Sequence, residues 1–168
     1  MLATDFIIRQ ASPNDAEVLS EYMNALADEN LEQLSGLRPS PEEERSFLRK
    51  ASENGRAFVL IALAGASVIG MLDLWSGEKL YNRHTALLGM SVLAPYRRKG
   101  IGRKLVQSAI DETRKWPGFC RTELHVTPWN EPAIRLYESA GFLREGTMRK
   151  AANLRGRTTD LILMSLVW

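Results

Sequence analysis

Residues 86–116 of the chain read ALLGMSVLAPYRRKGIGRKLVQSAIDETRKW, which predicts an apolar strand, a basic turn with two glycines and a long helix. The start of that helix carries five cationic side chains, which are Arg97, Arg98, Lys99, Arg103 and Lys104. A helix N-terminus already has unpaired N–H groups and a positive potential, so each cation there is unfavourable by up to about 1 kcal/mol. We interpret this cluster as a binding site for an anion.

Two glycines in the turn support the same interpretation. Gly100 and Gly102 have no Cβ, which lets a phosphate oxygen approach the backbone N–H groups. A dinucleotide-binding turn fits less well, because it leaves its strand directly into glycine and needs a third glycine where this chain has Leu105. A P-loop fits less well again, because no Ser or Thr follows Lys104.

The composition is that of an ordinary globular protein, with 45% hydrophobic and 25% charged residues, and predicts one domain over residues 1–168. The net charge of +2 is too small, and the basic residues too mixed with acids, to indicate nucleic-acid binding. One cysteine allows no internal disulfide, and two histidines give no cluster at zinc spacing, so we expect no metal. Without a secretory signal or an apolar run of about 20 residues, the sequence predicts a cytoplasmic protein with no membrane partner.

The hydrophobic pattern predicts a mixed α/β chain. Strands are predicted at 6–9, 57–64, 67–75, about 84–93, 122–127, 142–149 and 158–168. Helices are predicted from Ser12 to about Ala27, from Ser40 to about Ser52, from about Gly100 to Lys115, and from Asn130 to Gly141. This order of elements indicates a sheet with a parallel step in the middle, covered by helices.

Two motifs resemble those of a known family. Residues 97–102, RRKGIG, are similar to the Q/R-x-x-G-x-G/A pyrophosphate motif of the GCN5-related N-acetyltransferase (GNAT) family. Residues 126–142, VTPWNEPAIRLYESAGF, are similar to that family's second motif, V-x(3)-N-x(2)-A-x(2)-L-Y-x(3)-G-F, and residues 145–149 resemble its ribosomal-protein and polyamine acetyltransferases. The resemblance extends over nearly the whole chain and implies the acyl-CoA N-acyltransferase fold, a mixed, mostly antiparallel central sheet flanked by helices.

The resemblance also implies acetyl-CoA as cofactor. In the family the pantetheine arm lies along the central strand, here at the backbone of Met90, Ser91 and Val92, and an N–H near Val92 would polarise the thioester carbonyl. The pyrophosphate motif begins at Arg97, and the amides that would hold the pyrophosphate are those of Arg98, Lys99, Gly100, Ile101, Gly102 and Arg103. Asn130 and Ala133 would face the cofactor, and Asn130 is equally well explained as a helix N-cap.

Tyr137 is the residue that the resemblance places at the thioester sulfur. A hydroxyl there would act as general acid and protonate the departing thiolate, whose thiol has a pKa near ~8.5. A tyrosine on one helix face with Leu136 and Ala140 is also typical of a core residue. Cys120 is not expected to be a nucleophile, because nothing in the sequence pairs it with a base.

The general base has several candidates. An alkyl ammonium, with a pKa near ~10.4, must lose a proton before it attacks. His125 stands where ribosomal-protein alanine acetyltransferases have a glutamate, and strand alternation places it on the face opposite to Leu124 and Val126. A plain surface histidine is equally well explained. Asp73, His84 and transfer through water are the other candidates.

We predict direct transfer of an acetyl group from acetyl-CoA to a primary amine of a small molecule or peptide N-terminus. The alternatives are a non-catalytic acyl-CoA-binding protein of the same fold and a dinucleotide-binding module. A homodimer is a candidate assembly. Charged residues of two kinds bear on the acceptor: Asp28, Glu29 and Glu32 would attract a cationic amine, whereas Arg149, Lys150, Arg155 and Arg157 would favour an acidic one. Both sets are also explained as solvated surface charges.

Overall fold

The computed structural model describes residues 5–29, 37–154 and 156–168. These ranges contain seven strands and four α-helices. The strands are β1 (Ile7–Gln10), β2 (Ala57–Ala64), β3 (Ser67–Ser76), β4 (Thr85–Val92), β5 (Arg121–Val126), β6 (Leu143–Leu154) and β7 (Arg157–Val167). The helices are α1 (Ala16–Asp28), α2 (Pro41–Glu53), α3 (Ile101–Thr113) and α4 (Glu131–Ser139).

All seven of these strands form one sheet in the order β1-β2-β3-β4-β5-β7-β6. Neighbouring strands are antiparallel except for β4 and β5, which are parallel. A parallel pair needs a long crossover connection, which α3 supplies here. The predicted fold, a mixed and mostly antiparallel sheet flanked by helices, is therefore confirmed.

Helices cover both faces of the sheet and create two hydrophobic cores. The first core joins the sheet to α3 and α4, and the second joins it to α1 and α2. Because side chains alternate along a strand, Leu72 and Leu74 of β3 lie in the first core, whereas Met71 lies in the second. Asp73 stands between the two leucines and therefore points to the side of α1 and α2.

Both N-terminal helical segments start at the predicted residues, and the first of them opens with a 3₁₀ turn. Ser40 and Glu43 form a capping box at the start of α2, in which the Ser40 N–H donates to Glu43 Oε2 at 2.7 Å. The first helical segment begins at Ser12 as predicted, with Ser12 as N-cap, but its first turn, Pro13–Asp15, is a 3₁₀ turn and α1 follows from Ala16. The reason is the buried Asp15, whose carboxylate accepts the Ser12 N–H at 2.8 Å and holds the first turn tight.

The last hairpin is longer than predicted. The strand predicted to end at Arg149 continues to Leu154, because a register shift between Met148 and Ala152 absorbs the left-handed Lys150 (φ 51°). The Lys150 N–H is satisfied by Asp160 Oδ1 at 2.8 Å. None of the helices in the described ranges has the length and apolar character needed to cross a membrane.

Candidate active site

The two parallel strands in the middle of the sheet separate after a short ladder. The paired positions are Thr85 with Arg121, Ala86 with Thr122, and Leu87 with Glu123. Beyond this point β4 remains bonded only to β3, and β5 only to β7. The facing edges of β4 and β5 therefore leave a gap, which we call the β4–β5 gap, where an extended ligand can bind to strand backbone.

Backbone groups of β4 point into this gap. The Leu93 N–H donates to Ile69 O of β3 at 3.1 Å. Because hydrogen-bonded and non-hydrogen-bonded pairs alternate in an antiparallel ladder, Met90 and Val92 direct their N–H and C=O groups away from β3. The Ser91 side chain is engaged elsewhere, in a 2.8 Å hydrogen bond with the Tyr22 hydroxyl of α1.

The turn before α3 has free N–H donors. Arg98 and Gly100 have left-handed backbones, with φ of 59° and 84°, a feature of backbone nests that bind anions. The first helical hydrogen bond runs from the Lys104 N–H to Gly100 O at 3.1 Å. The N–H groups of residues 101–103 have no acceptor in the part of the chain that the structure describes. These donors at a helix N-terminus fit a diphosphate.

Glycine is favoured at the two motif positions, Gly100 and Gly102, for different structural reasons. A Cβ on Gly100 would meet nothing within 4 Å, so glycine is favoured there by its positive φ. A Cβ on Gly102 would lie 3.1 Å from Leu136 Cδ2 and 3.4 Å from Met90 Cε. The missing side chain of Gly102 thus lets α3 pack closely on α4 and β4, whereas the sequence suggested an approach of phosphate.

Arg97 holds the turn in place. Its Nε donates to Val92 O at 2.8 Å, and its guanidinium forms an ion pair with Glu29 at the end of α1. The same carboxylate accepts the Ala94 N–H at 2.6 Å. Arg97 therefore has a positioning role, and Glu29 is already paired rather than left to attract a cationic amine. Direct contact of Arg97 with the cofactor stays a prediction.

The other basic side chains of the turn are exposed. Arg98, Lys99 and Arg103 face solvent, and the Lys99 Nζ lies 5.4 Å from the centroid of the Tyr96 ring. Ile101, by contrast, is buried in the first core. Its predicted contribution to cofactor binding can come only from its backbone N–H.

Asn130 is confirmed as the N-cap of α4. Its Oδ1 accepts the Ala133 N–H at 3.4 Å, and its side-chain nitrogen has no acceptor among the described residues. The cap uses one side-chain atom and leaves the other available. The predicted contacts of Asn130 and Ala133 with the cofactor stay predictions.

Tyr137 is a buried residue with an uncommitted hydroxyl. Its side chain is 5% exposed, and its ring packs against Phe142 with 5.7 Å between centroids. The hydroxyl makes no hydrogen bond with the residues that the structure describes. Burial, with a smaller effect from the charge of Asp73, raises the pKa of Tyr137. The phenol is therefore protonated at neutral pH and can donate that proton.

Asp73 lies beside the same gap, from the side of α1 and α2. It pairs with Gly89, and a Cβ on Gly89 would lie 2.7 Å from Asp73 Oδ1. Its Oδ2 accepts from Trp75 Nε1 at 3.0 Å. Burial raises the pKa of Asp73 to about 6. Asp73 is thus one of the candidate bases named from the sequence, and it stands inside the apolar strand IGMLDLW.

The two histidines lie in different places. His125 is exposed on β5, on the face opposite to Leu124 and Val126 as predicted, and makes no hydrogen bond or ion pair with the described residues. Its role as general base stays a prediction. His84 precedes β4, where its carbonyl accepts the Cys120 N–H at 3.1 Å. Since the gap opens at the other end of the ladder, His84 is not brought to the site.

The residues predicted to attract an acceptor are scattered. Asp28 is paired with Arg38 at 2.5 Å. Glu32 and Arg155 lie outside the described residues, and the remaining basic candidates, Arg149, Lys150 and Arg157, are exposed on the last hairpin.

The structure has a surface depression that lies apart from the gap. A polar depression of about 280 Å³ lies at the far end of the β4–β5 ladder, lined by Asn54, Arg56, Ser76, Gly77, Glu78 and Arg83, and it contains none of the predicted site residues.

Within residues 5–29, 37–154 and 156–168, no three His, Cys, Asp or Glu side chains are grouped closely enough to hold a metal ion.

Comparison with known proteins defines the class to which this fold and gap belong. Residues 23–142 match the model of the Acetyltransferase (GNAT) family, and the chain belongs to that family. It is 42% identical over 128 residues to the ribosomal-protein bS18 alanine N-acetyltransferase of Escherichia coli, covering 75% of this chain and 80% of the relative. The resemblance predicted from the two motifs is thereby confirmed.

Two other proteins are similar over nearly the whole length. The L-amino acid N-acetyltransferase AaaT of Escherichia coli is 26% identical over 164 residues, which are 98% of this chain and 99% of the relative. A Salmonella typhimurium protein solved with its cofactor acetyl-CoA has a TM-score of 0.84 at 24% identity, over 96% of this chain and 93% of that one.

Proposed function

We propose that this N-acetyltransferase moves an acetyl group from acetyl-CoA to a primary amine of a small molecule or peptide N-terminus. The observation that supports the proposal most is the β4–β5 gap, together with the free N–H groups at the start of α3 and the unpartnered hydroxyl of the buried Tyr137. The names of the two curated relatives, acetyltransferases of an amino acid and of a protein alanine, support an amine as acceptor.

The residues present fit acetyl-CoA. The N–H groups of residues 101–103 would hold its diphosphate, and the inward backbone groups of Met90 would hold its pantetheine arm, because Val92 O already accepts from Arg97. Acetyl-CoA supplies the acetyl group as an activated thioester. The Val92 N–H would stabilise negative charge on the carbonyl oxygen, a contribution of about 3 kcal/mol for a well-placed donor.

Two proton transfers complete the reaction. The amine loses a proton as it forms its bond to the acetyl carbon, and the departing sulfur gains one. Tyr137 would donate to the sulfur. Asp73 is the better-placed proton acceptor, because its carboxylate flanks the gap and its pKa of about 6 suits a base at neutral pH. His125 is the alternative acceptor.

Release of free thiol tests the function. The purified protein is incubated with acetyl-CoA and a panel of amines that contains polyamines, amino acids, aminoglycosides and N-terminal peptides. We expect thiol release that depends on both acetyl-CoA and one class of amine. Binding of acetyl-CoA without thiol release on any amine would instead indicate the non-catalytic acyl-CoA-binding protein.

A cytoplasmic location and a homodimer belong to the same proposal. The strand β6 lies at the edge of the sheet, and most of its residues are exposed. An edge strand of this length has an unpaired row of N–H and C=O groups that a second copy can use. Sedimentation at several protein concentrations tests the assembly, and a monomer throughout would contradict it.

A further inference from the structure

Glu44 is a buried acid without a partner. Its side chain lies on α2, and the residue is 6% exposed. Its Oε2 is enclosed and has no hydrogen-bond donor among the described residues. A buried carboxylate that lacks a donor or a counter-charge is unfavourable, so its retention in the fold points to a ligand that supplies both.

Packing places this carboxylate towards Asp73. The neighbouring face of α2 carries Phe47, whose ring lies 5.5 Å from that of Trp75, and Trp75 in turn donates to Asp73. Glu44 is one helical turn before Phe47 and on the same face. Burial is the main cause that raises the pKa of Glu44 to about 7, and the charges of Glu43 and Asp73 add to it.

The surrounding cations are engaged elsewhere. Arg45, the nearest along α2, forms ion pairs with Glu17 and Glu42. Lys50 lies over the Trp75 ring at 5.9 Å from its centroid. Within the described ranges, no Lys or Arg comes within ion-pair distance of Glu44 or Asp73. The buried Glu44 and the partly exposed Asp73 therefore have no positive charge of the described protein within ion-pair distance.

We propose that Glu44 and Asp73 form the acceptor subsite for a primary amine that carries a second cationic group, of which an α,ω-diamine is the simplest member. This inference rests on the proposed acetyl transfer. Asp73, beside the β4–β5 gap, faces the reacting amine, and Glu44, deeper under α2, binds the distal ammonium. A free amino acid is disfavoured, because its carboxylate would meet two negative charges.

Paired substrates test the subsite. We compare kcat/KM for 1,5-diaminopentane and 1-aminopentane, which have the same chain length and differ by one charge. The wild type should prefer the diamine by roughly tenfold or more, the value of one charge-assisted contact. In Glu44→Gln this preference should fall towards one, and in Glu44→Asp it should be partly retained. Glu53→Gln, an exposed site on the same helix, should keep the full preference.

Calorimetric titration of the diamine in the presence of coenzyme A separates this inference from the proposed function. Binding that weakens about tenfold or more in Glu44→Gln but not in Glu53→Gln supports the subsite, even if no amine is acetylated. Thiol release with equal kcat/KM for both amines in the wild type overturns the subsite and leaves acetyl transfer standing. If the protein shows no diamine binding and no thiol release, both the subsite and the proposed function are overturned. Circular dichroism of each variant verifies folding.

Discussion

Asp73 and Gly89 face each other on β3 and β4, so closely that a Cβ on Gly89 would lie 2.7 Å from Asp73 Oδ1. The last paired residue of β4 in the β4–β5 ladder is Leu87, and Gly89 stands two positions beyond it, where the strands have begun to separate. The missing side chain of Gly89 therefore gives the partly buried Asp73 carboxylate its place beside the gap. Tyr137 lies on the opposite face of the sheet, in the first core, and burial, with a smaller effect from the charge of Asp73, raises its pKa.

The substitution Gly89→Ala should displace this carboxylate. The added methyl group overlaps Asp73 Oδ1, so we expect a fall of at least tenfold in kcat/KM and a loss of about 1 kcal/mol in the free energy of unfolding. Gly55→Ala is the matched control, because a Cβ there meets nothing within 4 Å. Steady-state kinetics and urea unfolding measure both effects. Wild-type kcat/KM in Gly89→Ala would show that the position of Asp73 does not matter.

Removal of the Tyr137 hydroxyl should affect turnover and not stability. Since this hydroxyl has no partner in the described protein, Tyr137→Phe should leave the free energy of unfolding within about 0.5 kcal/mol while kcat falls about a hundredfold. Tyr22→Phe is the same change at another buried tyrosine, and it breaks the 2.8 Å hydrogen bond to Ser91, so it should cost about 1 kcal/mol. Affinity for coenzyme A, measured by calorimetry, should survive Tyr137→Phe. An unchanged kcat would remove Tyr137 from the mechanism.

The strand–turn–helix over residues 86–116 and the motif over residues 126–142 could be predicted because their signals are local. Alternating or 3.6-residue hydrophobic patterns, caps and glycines fix such elements through nearest neighbours. Sequence reasoning failed where the cause was a tertiary contact. The 3₁₀ geometry of the turn before α1 is one example: its Asp15 accepts hydrogen bonds from Ser12 and from Arg9, which lies on the preceding strand.

The sequence could not predict the positions of Asp73 and Glu44 for the same reason, because tertiary contacts determine them. Asp73 was only one of several candidate bases, because its position opposite Gly89 depends on the β3–β4 register. Glu44 gave no signal at all, since an acid near a helix start is ordinarily a favourable, solvated charge. Only the packing of α2 on the sheet buries it. The ion pair of Arg97 with Glu29 could not be predicted either, because the two residues are distant in sequence.

The identity of the general base can be read from the pH dependence of kcat/KM. A carboxyl with a pKa of about 6 should produce an acidic limb near that pH, because only its charged form accepts the amine proton. We expect the limb to survive in His125→Ala and to disappear in Asp73→Asn. The opposite pattern would assign the base to His125, and survival in both variants would indicate transfer through water.

Stability should also depend on pH through the two buried acids. In the folded chain the pKa of Asp73 is raised from 3.8 to about 6 and that of Glu44 from 4.5 to about 7, mainly by burial. Between these limits the folded state binds more protons than the unfolded state, so the free energy of unfolding falls as pH rises from about 4.5 to 7. Asp15 and Glu145 have the opposite sign, but with a pKa of about 2 each they act below this window.

Glu44→Gln should remove part of this slope, because the amide occupies the same volume without a charge. Urea unfolding at pH 4.5, 6 and 7.5 should show the variant gaining stability relative to the wild type as pH rises. The gain should be about 1 kcal/mol at pH 7.5, after allowance for solvent screening. Glu53→Gln on the same helix is exposed and should follow the wild type at each pH. A constant difference between Glu44→Gln and the wild type would mean that Glu44 does not titrate in this range.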